Sequence, residues 1–308
     1  TAAKGFKAAH AAAGIKYKNR NDMAMIVSEQ PCKAAGTFTR NIVKAAPVKW
    51  DRELVYNAPF VQAVVINAGI ANACTGEEGM KYCKETAEKA GSVLNIPEDA
   101  VLVASTGVIG MQLPMDTLRK GIDMMVPVLG DSREAGHMAA KAIMTTDTVC
   151  KEMAVQLRIN DKLVTIGAMA KGSGMIHPNM CTMLGFVTTD VNISKELLLK
   201  ALQEDVKDTY NMVSVDGDTS TNDTVLLLAN GLAENQEITE ENEDYKTFCE
   251  ALNVVNTFLA RKIAGDGEGA TAMFEVKVVN AASKEDAVIL SKSVVTSSLT
   301  KAAIYGHD

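Results

Sequence analysis

Apolar and polar residues along this chain follow two periods, and the shorter one marks strands. Short runs rich in valine, isoleucine and methionine, alternating or continuous, are typical of half-buried or fully buried strands. Such runs predict strands at residues 23–27, 61–66, 101–104, 155–159, 163–166 and 276–279. The Asn160-Asp161 step between two of these runs predicts a hairpin turn.

Longer segments repeat their apolar positions at helical spacing. They predict helices at residues 77–94, 115–128, 133–144, 195–206, 240–263 and 283–295. Ser194, directly before KELLLKAL, is a suitable N-cap for one of them. This mixture of strands and helices predicts an α/β or α+β fold with layered sheets and helices.

Composition narrows the class of protein. With 308 residues the chain can form one large domain or two closely packed ones, and a substantial core is expected. A formal net charge of -7 argues against a nucleic acid partner. No apolar run is long enough to cross a bilayer, and the first residues lack the apolar region of a secretory signal. The sequence therefore predicts a cytoplasmic protein with no membrane partner.

The cysteines give no support for a metal site. Six are scattered without a Cys-x-x-Cys pair or a histidine at metal-ligand spacing, namely Cys32, Cys74, Cys83, Cys150, Cys181 and Cys249. Reduced thiols in a reducing compartment fit this pattern better. We therefore predict no metal.

The segment KGSGMIHPNMCTMLGF places a Cys181-Thr182 peptide bond between a glycine-rich polar approach and an apolar run. Gly172 and Gly174 allow a tight backbone there, and Pro178 restricts its neighbours. If the bond is cut, Thr182 becomes an N-terminus. Its hydroxyl is then a nucleophile, and its own α-amine, with a pKa of about 7.7 to 8.0, is a base poised near neutral pH.

Attack on a carbonyl creates an oxyanion, and Thr106-Gly107 is the candidate pair to stabilise it. The pair follows the strand predicted at 101–104. A hydroxyl and an adjacent backbone N–H, delivered by a turn after that strand, could point at one oxygen. An ordinary turn between strand and loop is the alternative interpretation.

Five segments in a fixed order carry a family resemblance. INAGIANACTG and VASTGVIG lie upstream of the Cys181-Thr182 bond, and VSVDGDTSTNDTVLLLANG lies downstream. With FTRNIVKAAPV near the start and AIMTTDT at 142–148, this order resembles the glutamate N-acetyltransferase / ornithine acetyltransferase family of arginine biosynthesis. The resemblance covers residues 5 to 306, nearly the whole chain.

The resemblance implies a self-processing acetyltransferase with an α chain, 1–181, and a β chain, 182–308, that form one catalytic core. Thr182 would carry acetyl from N2-acetylornithine to glutamate by ping-pong chemistry without a cofactor, and some members also use acetyl-CoA as a co-substrate. The implied fold is the layered α/β sandwich of the DmpA type, superficially like N-terminal nucleophile hydrolases, with αβ units forming homo-oligomers. Family members also continue beyond the last residue here, so a C-terminally incomplete chain is expected.

The resemblance also implies roles for single residues. Thr106 and Gly107 would form the oxyanion hole. Substrate would be contacted by Thr145, Lys171, Thr182 and Glu268. For Glu268 a physical reason is available, because a carboxylate among glycines can approach an ornithine ammonium closely.

Other interpretations stay open at this point. The chain could be an N-terminal-threonine amidase or aminopeptidase of the same fold, or an unprocessed relative that only binds an amino acid or a partner protein. The acidic segment DGDTSTNDT lacks the ligand order of an EF-hand and is better explained by capped turns. His177 lies near the bond, but a free α-amine makes it unnecessary as a base.

Overall fold

The computed structural model describes residues 1–177 and 183–308. In this part of the chain eight strands form one mixed sheet, namely β1 (Phe6–Ala11), β2 (Met23–Phe38), β3 (Val61–Ile70), β4 (Val101–Val108), β5 (Lys151–Ile159), β6 (Lys162–Lys171), β7 (Leu184–Thr189) and β8 (Thr224–Ala229). The α-helices are α1 (Ala46–Asn57), α2 (Gly76–Leu94), α3 (Met115–Met125), α4 (Arg133–Ala142), α5 (Lys195–Asp208), α6 (Glu243–Gly265), α7 (Lys284–Val295) and α8 (Ser298–Gly306).

One long strand, β2, joins two halves of the sheet. The strand order is β4-β3-β2-β8-β7-β6-β5, with β1 also paired to β2. The first part of β2 pairs with β1 and β3, whereas residues 33–38 pair with β8. The pairing register shifts between Val27 and Cys32, where β2 changes partners. An irregularity at this point lets a single strand serve both halves.

Alternate residues of each strand face different apolar cores, as the two-residue period of a strand requires. In β8, Leu227 packs with α5 and α6, whereas Leu226 belongs to a cluster shared by both halves of the sheet. In β3, Ile66 joins that shared cluster, while Val65 packs with α2 and α3. The two halves of the sheet pack on each other through the shared cluster, α5 and α6 cover the other face of one half, and α2 and α3 cover the other face of the second half, which confirms the predicted α/β sandwich.

Most of the predicted elements are present, and several extend further than the pattern indicated. Asn160 and Asp161 form the predicted hairpin turn between β5 and β6, with φ angles of 48° and 61°. Ser194 caps α5 as predicted, because its side chain accepts the Leu197 N–H at 3.3 Å. Strand β6 continues to Lys171, and this extension carries a candidate site residue into the sheet.

The strand predicted at 276–279 is wrong. This segment has no regular structure and pairs with no described strand. Phe274, Val276 and Val278 are half-buried and alternate with exposed neighbours, but no described strand lies beside this segment. Alternation predicts a strand only where a neighbouring strand supplies hydrogen-bond partners.

The chain ends in two short helices, α7 and α8, that meet at an angle of 55°. Within residues 1–177 and 183–308 no single helix is long and apolar enough to cross a membrane. Among the described helices, α7 and α8 taken together reach the length and hydropathy of a span.

Candidate active site

Lys171, the last residue of β6, is the centre of a buried polar cluster. Its Nζ donates to Thr145 Oγ1 at 2.7 Å and lies 3.4 Å from Thr106 Oγ1. The structure thus brings together three predicted site residues that lie on β6, on β4 and between α4 and β5. Lys171 is only 2% exposed, so it is not the solvated surface charge that a lone lysine usually is.

Thr106 and Gly107 lie inside β4, and the expectation of a turn at this pair is wrong. The strand continues because Gly107 is in parallel register with Gly69 of β3. Gly107 has a φ of 130°, and a Cβ there would lie 2.2 Å from the Gly69 carbonyl carbon. Backbone this close leaves no room for a side chain, so the position requires glycine. The Thr106 side chain is held in the buried cluster beside Lys171.

A buried carboxylate, Asp147, organises the surroundings of Lys171. Asp147 Oδ1 accepts the Gly172 N–H at 2.6 Å, and Oδ2 accepts the Thr145 N–H at 3.1 Å. Lys171 Nζ lies 3.8 Å from Oδ2, and Lys151 Nζ donates to Oδ1 at 2.7 Å. Burial alone would raise the pKa of Asp147, but the two ammonium groups and the hydrogen bonds outweigh it and hold that pKa below its ordinary value.

Burial has the opposite consequence for Lys171, because it disfavours a cation and lowers the pKa of the amine. The carboxylates of Asp147, Asp223 and Glu268 oppose this effect, whereas the nearby charge of Lys151 adds to it. A desolvated cation gains more from an arriving anion than a hydrated one does. The cluster is therefore suited to hold a carboxylate or a developing oxyanion.

Glu268 reaches the same region from the segment that follows α6. Its backbone N–H donates to the Ser173 carbonyl at 3.0 Å. Its carboxylate packs directly on Gly174, since a Cβ on that residue would lie 2.4 Å from the carboxyl carbon. Gly174 thus permits a close approach that a larger residue would block. The side chain itself is exposed, as expected for a group that could receive a ligand.

Thr182 and the bond before it lie outside the described residues, but both flanks are anchored by aspartates. On one side, Ile176 N–H donates to Asp216 Oδ1 at 2.9 Å. On the other side, Met183 N–H donates to Asp223 Oδ1 at 3.1 Å. Burial raises the pKa of Asp223 well above its usual range, although the Met183 N–H lowers it in part.

Comparison of the sequence with known proteins identifies a family. The family model described as ArgJ family covers residues 7–308. This chain belongs to the ArgJ family. ArgJ 1 of Clostridium acetobutylicum is 53% identical over 98% of this chain and 74% of its own length. ArgJ of Thermotoga neapolitana is 50% identical over 99% of this chain and 76% of its own length. Both carry the name arginine biosynthesis bifunctional protein, and the predicted resemblance is confirmed.

Solved structures agree with the fold of an ArgJ-family protein. The ArgJ crystal structure from Bacillus halodurans is 44% identical, with a TM-score of 0.55 over 57% of this chain and 91% of its own. An ornithine acetyltransferase of Mycobacterium tuberculosis, complexed with ornithine, is 42% identical, with a TM-score of 0.53 over 57% of this chain and 92% of its own. A beta-aminopeptidase of a Burkholderia species covers 95% of this chain and 92% of its own with a TM-score of 0.51, but at 13% identity it shows a shared fold alone.

The sequence analysis did not predict three aspartates and one lysine of this ArgJ-family site as site residues. Asp147 lies in the AIMTTDT segment and Asp223 lies in DGDTSTNDT. Nothing in either segment distinguishes these aspartates from their polar neighbours. Asp266 lies in AGDGEGAT, the segment that carries Glu268, whereas Lys151 lies in none of the family segments. The i, i+4 spacing of Asp147 and Lys151 is a common surface pattern, and nothing in the sequence marks this pair as buried.

A large cavity of about 630 Å³ lies beside the candidate site, between α6, the segment after it and the helices α7 and α8. Glu268 contributes to its wall. Lys171, Thr145 and Thr106 do not line it. The cavity therefore adjoins the polar cluster at Glu268 but does not contain it.

One group of described residues could hold a metal ion. Donor atoms of His137, Cys150 and Glu152 lie within 4.8 Å of one another, although the sequence spacing gave no sign of this. The His137 ring is already paired with the Glu152 carboxylate at 2.8 Å, and burial raises the pKa of the Cys150 thiol to about 11. Glu152 follows Lys151 on β5 and so points to the opposite face of the strand, and His137 approaches it from α4.

Proposed function

We propose that this chain is a self-processing acetyltransferase that moves acetyl from N2-acetylornithine to glutamate through Thr182. The observation that carries the proposal is the buried cation of Lys171, bonded to Thr145 and close to Thr106, at the start of the segment that leads to the Cys181-Thr182 bond. The names of the relatives, arginine biosynthesis bifunctional protein and ornithine acetyltransferase, support the substrate class.

The first step is self-cleavage. Thr182 Oγ attacks the Cys181 carbonyl carbon, the peptide bond is converted to an ester as the Thr182 nitrogen leaves with a proton, and water hydrolyses the ester. The products are an α chain, 1–181, and a β chain, 182–308. Thr106 and Gly107 stabilise the oxyanion, a contribution of about 10²- to 10³-fold in rate for each well-placed donor.

The second step is acetyl transfer. The free α-amine of Thr182 takes the hydroxyl proton while Oγ attacks the acetyl carbonyl, and it returns the proton to the departing ornithine. Glutamate then attacks the acetyl ester through its own amine and leaves as N-acetylglutamate. Lys171, Thr145 and Glu268 position the amino-acid portions by charge and hydrogen bonds. No cofactor takes part in this transfer, and acetyl-CoA is a candidate second acetyl donor for glutamate.

Product analysis tests this proposal. The purified protein is incubated with N2-acetylornithine in the presence and absence of glutamate, and N-acetylglutamate, ornithine and free acetate are measured. We expect N-acetylglutamate and ornithine in equal amounts, with little acetate. Ornithine and acetate in equal amounts, unaffected by glutamate, would instead identify an amidase of the same fold.

A further inference from the structure

A second lysine, Lys151, lies fully buried behind the site. Its side chain is 0% exposed, and its Nζ donates to Asp147 Oδ1 at 2.7 Å and to Asp266 Oδ2 at 2.5 Å. It also donates to the Val149 carbonyl at 3.3 Å. Lys151 is therefore a cation that is closed off from solvent and joins two carboxylates from distant parts of the chain.

Each of the two carboxylates holds a different part of the site. Asp147 accepts the backbone N–H groups of Thr145 and Gly172 and thus fixes the ends that carry the Thr145 and Lys171 side chains. Asp266 lies two residues before Glu268, directly after α6. Its carboxylate accepts the Thr148 N–H at 3.0 Å.

Asp266 is tied to the β6 end of the site as well. Its backbone carbonyl accepts the Ser173 hydroxyl at 2.6 Å, and the Ser173 carbonyl in turn accepts the Glu268 N–H at 3.0 Å. Lys151 thus connects, through two carboxylates, three segments that are separated by many residues in the sequence.

We propose that Asp147, Lys151 and Asp266, the buried triad, are positioning residues that fix Thr145, Lys171 and Glu268 relative to one another for binding an amino-acid substrate. The proposal rests on the function proposed above. None of the three residues reaches the substrate, and each acts through the side chain or backbone that it holds.

Charge supports a positioning role over a purely stabilising one. A buried ion pair loses its hydration, and apolar residues of similar size often stabilise a core as well or better. Here the two negative charges of Asp147 and Asp266 balance the two positive charges of Lys151 and Lys171. The cluster can therefore keep the Lys171 cation beside the substrate without a net positive charge. Apolar residues in place of Asp147, Lys151 and Asp266 would fill the same space, but they would remove the charges that surround Lys171.

Two variants and one control test the buried triad. Lys151→Met removes the cation that connects both carboxylates, and Asp147→Asn removes the charge next to Lys171. Asp205→Asn is the matched control, because Asp205 is a buried carboxylate bonded to Asn253 and Asn256 on α6, in a network without contact to Lys171. Melting temperature, kcat and KM for N2-acetylornithine and glutamate, and backbone hydrogen exchange are measured for each.

We expect Lys151→Met to raise KM by about tenfold or more for both substrates, the loss expected when one charged contact is misplaced. Peptides covering 144–150, 171–175 and 266–270 should exchange faster together, whereas β8 should keep its protection. Asp205→Asn should leave KM unchanged at a similar loss of melting temperature. Unchanged protection of the three peptides in Lys151→Met, or an equal rise of KM in the control, would overturn the proposal.

The pH profile gives a readout that a general loss of stability would not move. In Asp147→Asn, Lys171 loses its nearest carboxylate but still faces the cation of Lys151, with only Asp223 and Glu268 opposing. The basic limb of kcat/KM should therefore move to lower pH, and an unmoved limb would count against Asp147. If the wild-type protein transfers no acetyl at all, the proposed function fails, while the exchange comparison still decides whether the triad couples the three segments.

Discussion

Lys171 Nζ and Thr145 Oγ1 are 2.7 Å apart, at the point where the buried Lys171 at the end of β6 meets the half-buried Thr145 of the α4–β5 connection. Thr145→Val keeps the shape of the side chain and removes the acceptor. We expect KM for the amino-acid substrates to rise about tenfold or more, as for the loss of one hydrogen bond to a charged group. Steady-state kinetics measure the change. Thr145→Ser, which keeps the hydroxyl, is the control, and equal KM values in both variants would contradict this role.

Replacing Gly107 tests whether the proposed oxyanion hole on β4 depends on the close contact between β4 and β3. Gly107→Ala would place a Cβ 2.2 Å from the Gly69 carbonyl carbon at a φ of 130°, so we expect a loss of at least ~1–3 kcal/mol of folding free energy from backbone strain alone. Self-cleavage should also fail or slow strongly. The matched control is Gly110→Ala, which has a φ of 82° but meets no atom within 4 Å. Thermal unfolding and chain mass are measured, and a Gly107→Ala protein as stable and as well cleaved as the control would refute the geometry.

Replacing Gly174 tests whether substrate binding requires the Glu268 carboxylate to lie against this residue. A methyl group at this position would meet the flexible end of the Glu268 side chain at 2.4 Å, so the carboxylate should swing away with little loss of stability. Gly174→Ala should raise KM for N2-acetylornithine and resemble Glu268→Gln in this respect. Gly130→Ala is the control, because its Cβ would meet nothing closer than 3.6 Å. An unchanged KM in Gly174→Ala would show that Glu268 does not need this contact.

The buried carboxyl of Asp51 should make the free energy of unfolding depend on pH. Its carboxyl is fully buried under β4, where Oδ1 accepts the Val103 N–H at 2.8 Å and Oδ2 has no partner among the described residues. Burial raises its pKa well above the ordinary value, although the Val103 N–H opposes this. Between the unfolded and folded pKa values the folded state binds more protons, so the free energy of unfolding falls as pH rises.

Asp51→Asn should therefore raise the melting temperature at neutral pH and flatten its decline above pH 4, at about 1.4 kcal/mol for each unit of pKa shift removed. Thermal unfolding between pH 4 and 8 measures this. Asp99→Asn, at an exposed position, should change neither quantity. A melting temperature that falls in Asp51→Asn at neutral pH would mean that the buried carboxyl is charged and needed.

The pattern of the sequence predicted much of the sheet, because valine and isoleucine runs with turn residues between them carry a local signal. Strand β1, FKAAHA, was missed because its alanines have little strand preference. The strand predicted at 276–279 was wrong because strand pairing depends on which other segments lie alongside, and the local pattern does not contain that information. Family segments located Thr106, Thr145 and Lys171, but the burial of Lys151 depends on contacts between segments far apart in the chain, which periodicity does not record.

The most direct test of the account is the intact mass of the purified protein under denaturing conditions, with N-terminal sequencing of each fragment. The wild-type protein should give two chains, one of which begins TMLGF. Thr182→Ala should give one uncut chain without acetyl transfer, whereas Thr182→Ser, which keeps a hydroxyl, should still be cleaved. A single uncut wild-type chain that transfers acetyl, or a cleaved and active Thr182→Ala variant, would contradict Thr182 as the nucleophile.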